Sequence, residues 1–327
     1  MLGLELNEEY KLSLVRRPDR ELRPDEVLIK VLASGICGTD RHIMRKESRV
    51  TPPVILGHEF GGSVVAVGSK VENVGPGDAV AVDPNISCHA CEYCRNGNEH
   101  LCEKLTAIGV DIDGGMSDLC VIPSGQAYRL PAGFELRFLP FVEPLSCVLH
   151  GMDRISVKHG ERVLVIGSGT IGLMHMLLLR GVAGELCVDE LNESRLAKAV
   201  SLGAGKASKG EIDHFDAVIE CSGTVGGFEK AVASARRGGR VLVFGVTPIG
   251  DFAQISPNDI YKKELTILGS YVNPNTFSRS IAMIGSGRIP LSRLDVRYFP
   301  LEDFKTAFEA SASGDFSKVV FQSVEGD

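Results

Sequence analysis

The sequence predicts an α/β protein in two parts, a β-rich N-terminal part and a doubly wound parallel sheet after it. Three observations predict this. Over the first ~140 residues, short β-branched runs alternate with dense Gly, Pro and Asp punctuation. From about Ser146 the texture changes to a regular exchange of short apolar strands and helices, the pattern of βαβ units. One of those strands also runs without a break into a glycine-rich turn that opens a helix.

In the N-terminal part the expected strands are Val27–Ala33, Gly62–Gly68, Ala79–Asp83 and Leu119–Ile122. Turn formers bound them, most densely at Pro52-Pro53 and Gly75-Pro76-Gly77-Asp78. The second part reads in order as strand Arg162–Ile166, apolar helix Thr170–Arg180, strand Glu185–Val188 and amphipathic helix Glu193–Leu202. Strands Ala217–Glu220, Arg240–Phe244 and Leu265–Leu268 follow, with a helix at Gly226–Ala235. After Asn273 come a helix at Thr276–Ile284, a helix near Leu301–Ala312 and a terminal strand at Lys318–Phe321. That stretch is too small to stand alone, so it is expected to rejoin the N-terminal part. The expected organisation is therefore 1–145, 146–272 and a returning segment 273–327.

A chain of 327 residues is long enough for two domains with substantial cores. The formal charge of −7 gives no general attraction to nucleic acid or anionic membranes. Glu5, Glu8 and Glu9 interrupt the N-terminus, which lacks the basic-then-apolar layout of a secretory signal. No apolar run approaches the ~20 residues that span a bilayer. A cytoplasmic protein is expected. Cys120, Cys147, Cys187 and Cys221 stand in apolar settings and suit buried small hydrophobes.

Cys88, Cys91, Cys94 and Cys102 stand at spacing C-x2-C-x2-C-x7-C. Four thiolates so placed can close a tetrahedron around Zn²⁺ and leave no open position, which makes a structural site. Disulfides would need an oxidising compartment, against the cytoplasmic expectation. Val163-Leu-Val-Ile166 leads into Gly167-Ser168-Gly169-Thr170-Ile171-Gly172 and then a helix. There the glycines permit a tight turn and close approach of a pyrophosphate, and the helix N-terminus attracts the phosphates. An acidic residue should end the next strand and accept hydrogen bonds from the adenosine ribose. Asp189 and Glu190 both qualify, and a carboxylate there favours NAD over NADP. Arg195 lies one helical turn on. Cys37, the pair His58-Glu59, and Glu143 are thiol, imidazole and carboxylate, the donor types of an open zinc site. Spacing alone does not show that they meet. Singly they also suit a core thiol, a hydrogen-bonded histidine and a helix N-terminal carboxylate.

Gly57-His58-Glu59 before a glycine-rich strand, Cys37-Gly-Thr39-Asp40, the four-cysteine loop and the downstream nucleotide motif occur in one order along the whole chain. Together they resemble the zinc-containing medium-chain dehydrogenase/reductase superfamily. Glu143-Pro144-Leu145-Ser146 resembles its polyol (sorbitol), threonine and sugar dehydrogenase branches. The resemblance implies a GroES-like catalytic domain and a Rossmann domain, with one catalytic and one structural zinc and NAD as cofactor. By it Cys37, His58 and Glu59 would bind the catalytic zinc, and Glu143 would complete the shell directly or through water. Asp40 would orient His58, while Thr39 and His42 would form the proton relay. The family's acidic-x-x-x-x-Arg-Leu pattern falls on Glu190 and Arg195-Leu196, with Asp189 the fallback ribose ligand. Cys221, Ser222, Gly245 and Val246 end later strands, where they would line the nicotinamide half or serve as ordinary turns. Substrate walls are implied around Arg41–Thr51, Ile108–Met116 and Tyr271–Phe277. The implied substrate is a polyol, sugar or related secondary alcohol, with a threonine-type amino alcohol or a phosphorylated or amino sugar as alternatives, and a non-catalytic protein on a dehydrogenase scaffold as the reading from another class. The implied assembly is a homodimer or homotetramer.

Overall fold

The computed structural model describes residues 1–18, 20–208 and 212–322. The chain forms two compact units, Met1–Ser146 with Asn273–Asp327, and Cys147–Val272. No helix among the described residues is long and apolar enough to cross a membrane.

The first unit is organised on β1 (Glu26–Gly35), whose Val27, Ile29, Val31 and Ala33 are buried at alternate positions. Val27, Ile29 and Val31 pack with Phe60, Val64, Val80, Val82, Cys120 and Ile122, several from neighbouring strands. Each such burial is worth roughly 1.5–3 kcal/mol for a large aliphatic side chain. Strand β2 (Glu59–Val67) and the strand Leu119–Pro123 pair with β1 antiparallel. The terminal strand Lys318–Gln322 adds to the end of β1, with Val320 opposite Gly35. A second apolar cluster joins Leu4, Leu6, Ile36, Ile43 and Leu56 to Phe308, Val319 and Phe321. The C-terminal segment is therefore part of the first unit's core.

Between β1 and β2 lies α1 (Gly38–Met44), a short helix that hydropathy periodicity did not reveal. The N-terminal hairpin Leu2–Leu6 and Leu12–Arg16 was equally silent. Helix α2 (Val142–Ile155) begins at the end of the first stretch, with Glu143 in its first turn. The points where the chain leaves and returns to this unit are tied together. Asn273 Nδ2 donates to Ser146 Oγ at 2.9 Å, and Thr276 Oγ1 donates to the Ser146 carbonyl at 2.7 Å. Asn85 Nδ2 donates to Asn273 Oδ1 at 2.7 Å.

The second unit is one parallel sheet. Its strands are β3 (Arg162–Ile166), β4 (Glu185–Asp189), β5 (Gly205–Lys206), β6 (Phe215–Glu220), β7 (Ala235–Val243) and β8 (Thr266–Gly269). They lie in the order β5-β4-β3-β6-β7-β8. Helices α3 (Thr170–Leu179), α4 (Glu193–Ser201) and α5 (Val225–Ser234) connect them. This is the doubly wound arrangement, which binds ligands outside the carboxyl ends of its strands. Strand β7 starts five residues before the expected Arg240, and its pairing with β6 shifts register between Phe215 and Ala217.

Candidate active site

In the first unit the chemistry-bearing residues stand where strands end. Strand β1 stops at Gly35, and Cys37 is the N-cap of α1. The Cys37 N–H donates to Asp40 Oδ2 at 2.8 Å, which fixes the start of the helix. Glu59 opens β2, and His58 stands just before it, after Gly57. Gly57 has φ +101, and a Cβ there would come 2.5 Å from the Met116 nitrogen, so only glycine passes. The folding brings one ligand atom each from Cys37, His58 and Glu59 within 4.8 Å of one another. Glu143 is not in that group. It is buried in the first turn of α2 and acts electrostatically on Lys318.

The charge balance of this cluster is unusual. Asp40 is fully buried, and its Oδ1 lies 3.6 Å from His58 Nδ1 with neither atom hydrogen-bonded. Burial raises the Asp40 carboxyl above its usual range. Burial would lower the His58 imidazole, but Asp40 and Cys37 outweigh it and hold the ring well above its ordinary value. Lys318 donates to Glu59 Oε2, with both side chains 2% exposed. Burial opposes the ammonium, and Glu59, then Cys37 and Glu143, more than offset it. A thiol, an imidazole and carboxylates in so negative a pocket suit a divalent cation. Thr39 Oγ1 lies 3.6 Å from Cys37 Sγ, and His42 Nδ1 is 2.7 Å from Glu47 Oε2.

Cys88, Cys91, Cys94 and Cys102 form the other cluster, with ligand atoms within 4.8 Å of one another. Their sulfurs form no disulfide. The Cys91–Cys94 and Cys88–Cys94 separations are 3.5 and 3.9 Å. Sulfurs ~2.3 Å from a tetrahedral zinc stand about 3.8 Å apart, so this quartet fits one. Main-chain N–H groups also turn onto it, those of Ala90 and Cys91 toward Cys88 and those of Cys88 and Lys104 toward Cys102. The N–H groups of Ala90 and Cys91 hold the Cys88 thiol below its usual range, as a thiolate ligand requires.

In the second unit the glycine turn joins β3 to α3. Gly167 has φ +88, and a Cβ there would meet Ser222 at 2.9 Å. The adjacent β3 and β6 end together, with Ile166 opposite Glu220. Glu190 Oε2 accepts from Ser168 N and Oγ at 2.9 and 3.1 Å, and Oε1 accepts from Asn192 N at 2.9 Å. Burial opposes its charge, but these N–H groups and Arg195 at 3.4 Å hold the carboxyl below its usual range. Asp189 pairs instead with Lys230 at 2.6 Å. At the end of β6, Glu220 accepts from Ser222 N at 2.7 Å, from Ser222 Oγ at 2.5 Å and from Gly223 N at 3.1 Å. A Cβ on Gly245 would come 2.6 Å from Glu220 Oε2, so the turns at 221–223 and 245–246 pack tightly on each other. Val246 is exposed there.

Residues 23–132 match the alcohol dehydrogenase GroES-like domain, and residues 170–286 match the zinc-binding dehydrogenase family. D-arabinitol dehydrogenase 1 of Uromyces fabae is 30% identical over 98% of this chain and 96% of its own length. The chain belongs to the zinc-containing medium-chain dehydrogenase/reductase superfamily. L-threonine 3-dehydrogenase of Yersinia pseudotuberculosis is 31% identical to this dehydrogenase, over 96% of this chain and 97% of its own. A zinc-binding dehydrogenase from Sinorhizobium meliloti 1021, solved bound to NADP, superposes with TM-score 0.93 at 34% identity, covering 98% of this chain and 99% of that one. The dehydrogenase is thus a zinc-dependent oxidoreductase of the polyol and threonine branch that uses a nicotinamide cofactor, with a GroES-like and a Rossmann fold.

Two residues of this dehydrogenase escaped the sequence reading. Lys318 is the charge at the head of an otherwise apolar terminal strand, Lys318-Val-Val-Phe321, which was the available signal. Glu47 meets His42 only because the chain turns back after α1, and nothing in the local pattern announces that. Arg41, in the 41–51 segment that the family likeness marks as a substrate wall, donates to the Ser311 carbonyl at 2.9 Å, and Lys46 lies 4.6 Å over the Tyr10 ring.

Proposed function

We propose that this dehydrogenase oxidises a secondary alcohol of a polyol, sugar or related small molecule with NAD⁺, giving a ketone, NADH and a proton. The observation that carries the reading is the convergence of Cys37, His58 and Glu59 on one point. Zinc held by these three, with Glu143 directly or through water, would acidify the substrate hydroxyl, and bound NAD⁺ would accept the hydride. The rest falls to the chain's own residues. Asp40 faces His58 Nδ1 and leaves the other ring nitrogen toward the metal side. Lys318 balances Glu59. Thr39 takes the hydroxyl proton toward His42, which passes it to solvent. The Cys88, Cys91, Cys94 and Cys102 quartet holds a second, structural zinc.

The unit Met1–Ser146 with Asn273–Asp327 is the catalytic domain of this reading, and Cys147–Val272 the NAD-binding domain. Residues 167–172 and the start of α3 bind the pyrophosphate. Glu190 receives the adenosine ribose, with Arg195 beside it, and its charge disfavours the extra phosphate of NADP. Asp189, paired with Lys230, is the weaker candidate. Cys221, Ser222, Gly245 and Val246 line the nicotinamide half. The edge strand β8, with exposed Phe252 and Tyr261 nearby in sequence, supports assembly into a homodimer or homotetramer. That none of the nine cysteines forms a disulfide fits the reducing cytoplasm.

The similarity to threonine dehydrogenase supports a second reading, oxidation of an amino alcohol. A panel of polyols, sugars, phosphorylated sugars and L-threonine, run in parallel with NAD⁺ and NADP⁺, separates the readings. Zinc-dependent turnover of a polyol or sugar with NAD⁺ is expected. Preference for threonine or NADP⁺ would overturn the substrate or the cofactor assignment respectively. Glu190→Ala is expected to raise the KM for NAD⁺ and leave that for the alcohol unchanged.

A further inference from the structure

His42 lies in the last turn of α1, and the chain beyond it folds straight back onto the ring. Lys46 adopts a left-handed φ of +61, which lets the Glu47 N–H donate to the His42 carbonyl at 2.9 Å. The same turn sets Glu47 Oε2 2.7 Å from His42 Nδ1, with both side chains 29% exposed. Among the described residues, Glu47 has no other ion-pair or side-chain partner, and Lys46 is turned toward Tyr10. An exposed histidine–carboxylate contact of this kind adds little stability. Its geometric effect is larger. A carboxylate only accepts, so the hydrogen between them sits on Nδ1, and a neutral ring then presents Nε2 as a bare acceptor.

We infer that Glu47 is the positioning residue of the proton relay, holding His42 in the Nδ1–H tautomer so that Nε2 is free to receive the proton. The relay role of His42 itself rests on the function proposed above. The proton that leaves the substrate hydroxyl through Thr39 adds to Nε2 while Nδ1–H stays on Glu47. The imidazolium then releases the Nε2 proton to water, which restores the starting tautomer. No oxidant or further reactant is needed for this half of the reaction.

Long-range ¹H–¹⁵N NMR of the zinc-loaded enzyme, labelled with ¹⁵N-histidine and held at pH 8, reads the tautomer directly. His42 is assigned by the signal missing from His42→Gln. The wild type is expected to show a protonated Nδ1 and a bare Nε2. Glu47→Ala is expected to shift the ring toward the Nε2–H form that free histidine prefers. Its kcat should fall roughly tenfold, as on loss of a group that orients a histidine, with the KM for NAD⁺ unchanged. Glu47→Gln, whose amide oxygen still accepts from Nδ1–H, should keep the tautomer and recover most of the rate. An Nε2–H ring in the wild type, or the same tautomer in wild type and Glu47→Ala, overturns the role of Glu47. If instead His42→Gln keeps full kcat, the relay reading itself fails, whatever the tautomer shows.

Discussion

Removing the ammonium of Lys318 would leave the Glu59 carboxylate uncompensated in a pocket where both side chains are 2% exposed. Breaking one partner of a buried ion pair costs about 3–5 kcal/mol. Lys318→Met is therefore expected to destabilise the metal-free protein by that order in urea unfolding, and the zinc-loaded protein by less, because zinc supplies the missing positive charge. An equal loss in both forms would mean that Glu59 does not face the metal. Gly35 belongs to the same arrangement, since a Cβ there would come 2.6 Å from both Glu59 Oε2 and Lys318 Cε. A second buried group sits in α3. His175 is fully buried, its Nδ1 is 3.0 Å from the Ile171 carbonyl, and burial pulls its pKa down to about 4. The folded protein thus keeps the ring neutral while the unfolded chain protonates it near 6.5, so the unfolded state binds more protons between those values. Stability is unaffected above pH ~6.5 and falls as the pH drops toward 4, by roughly 3 kcal/mol in all. In His175→Leu that part of the acid slope should vanish, read as the difference in unfolding free energy between pH 7.5 and pH 5.

Among the elements, the 88–102 loop does different work from α1. It contains only a four-residue helix, Glu92–Arg95, and a three-residue turn, Glu99–Leu101. So little regular structure leaves the sulfurs to hold the loop, and binding energy at such a site is folding energy. Cys91→Ser is expected to lower bound zinc from about two to about one per chain and to lower the unfolding temperature, with kcat per folded molecule nearly intact. Cys37→Ser should keep the unfolding temperature and lose the activity. How far these elements could be read beforehand follows from how local their causes are. The strand, turn and helix around Gly167–Gly172 depend on neighbours in sequence, so the pattern shows them. The cysteine spacing is local in the same sense. Helix α1 is only seven residues and carries two buried ones, too few for a period to register. That Cys37, His58 and Glu59 meet depends on β1 pairing with β2 so that Gly35 lies opposite Glu59. Residue type and family likeness pointed to the trio, but no spacing rule contains that register. Glu47 required a left-handed Lys46, a conformation that lysine does not signal.

Over the whole molecule, the two compact units differ in how the chain builds them. Residues 147–272 are continuous, and their parallel sheet needs no strand from elsewhere. The other unit closes only when Lys318–Gln322 docks on β1 and the helix Phe304–Ser313 adds Phe308 to its core. A chain cut after Leu294 is accordingly expected to yield a protease-resistant fragment covering 147–272, with cleavage throughout β1 and β2. Protection of β1 and β2 in that chain would show that the terminal strand is dispensable. The ion pair at the metal pocket puts this in terms of time. Glu59 and Lys318 are 259 residues apart, so on the ribosome the carboxylate waits through synthesis of the whole second unit before its counter-charge exists. Until then Cys37, His58 and Glu59 belong to a unit that has not closed. The late lysine makes the completed chain, rather than the growing one, the form in which that charge is settled.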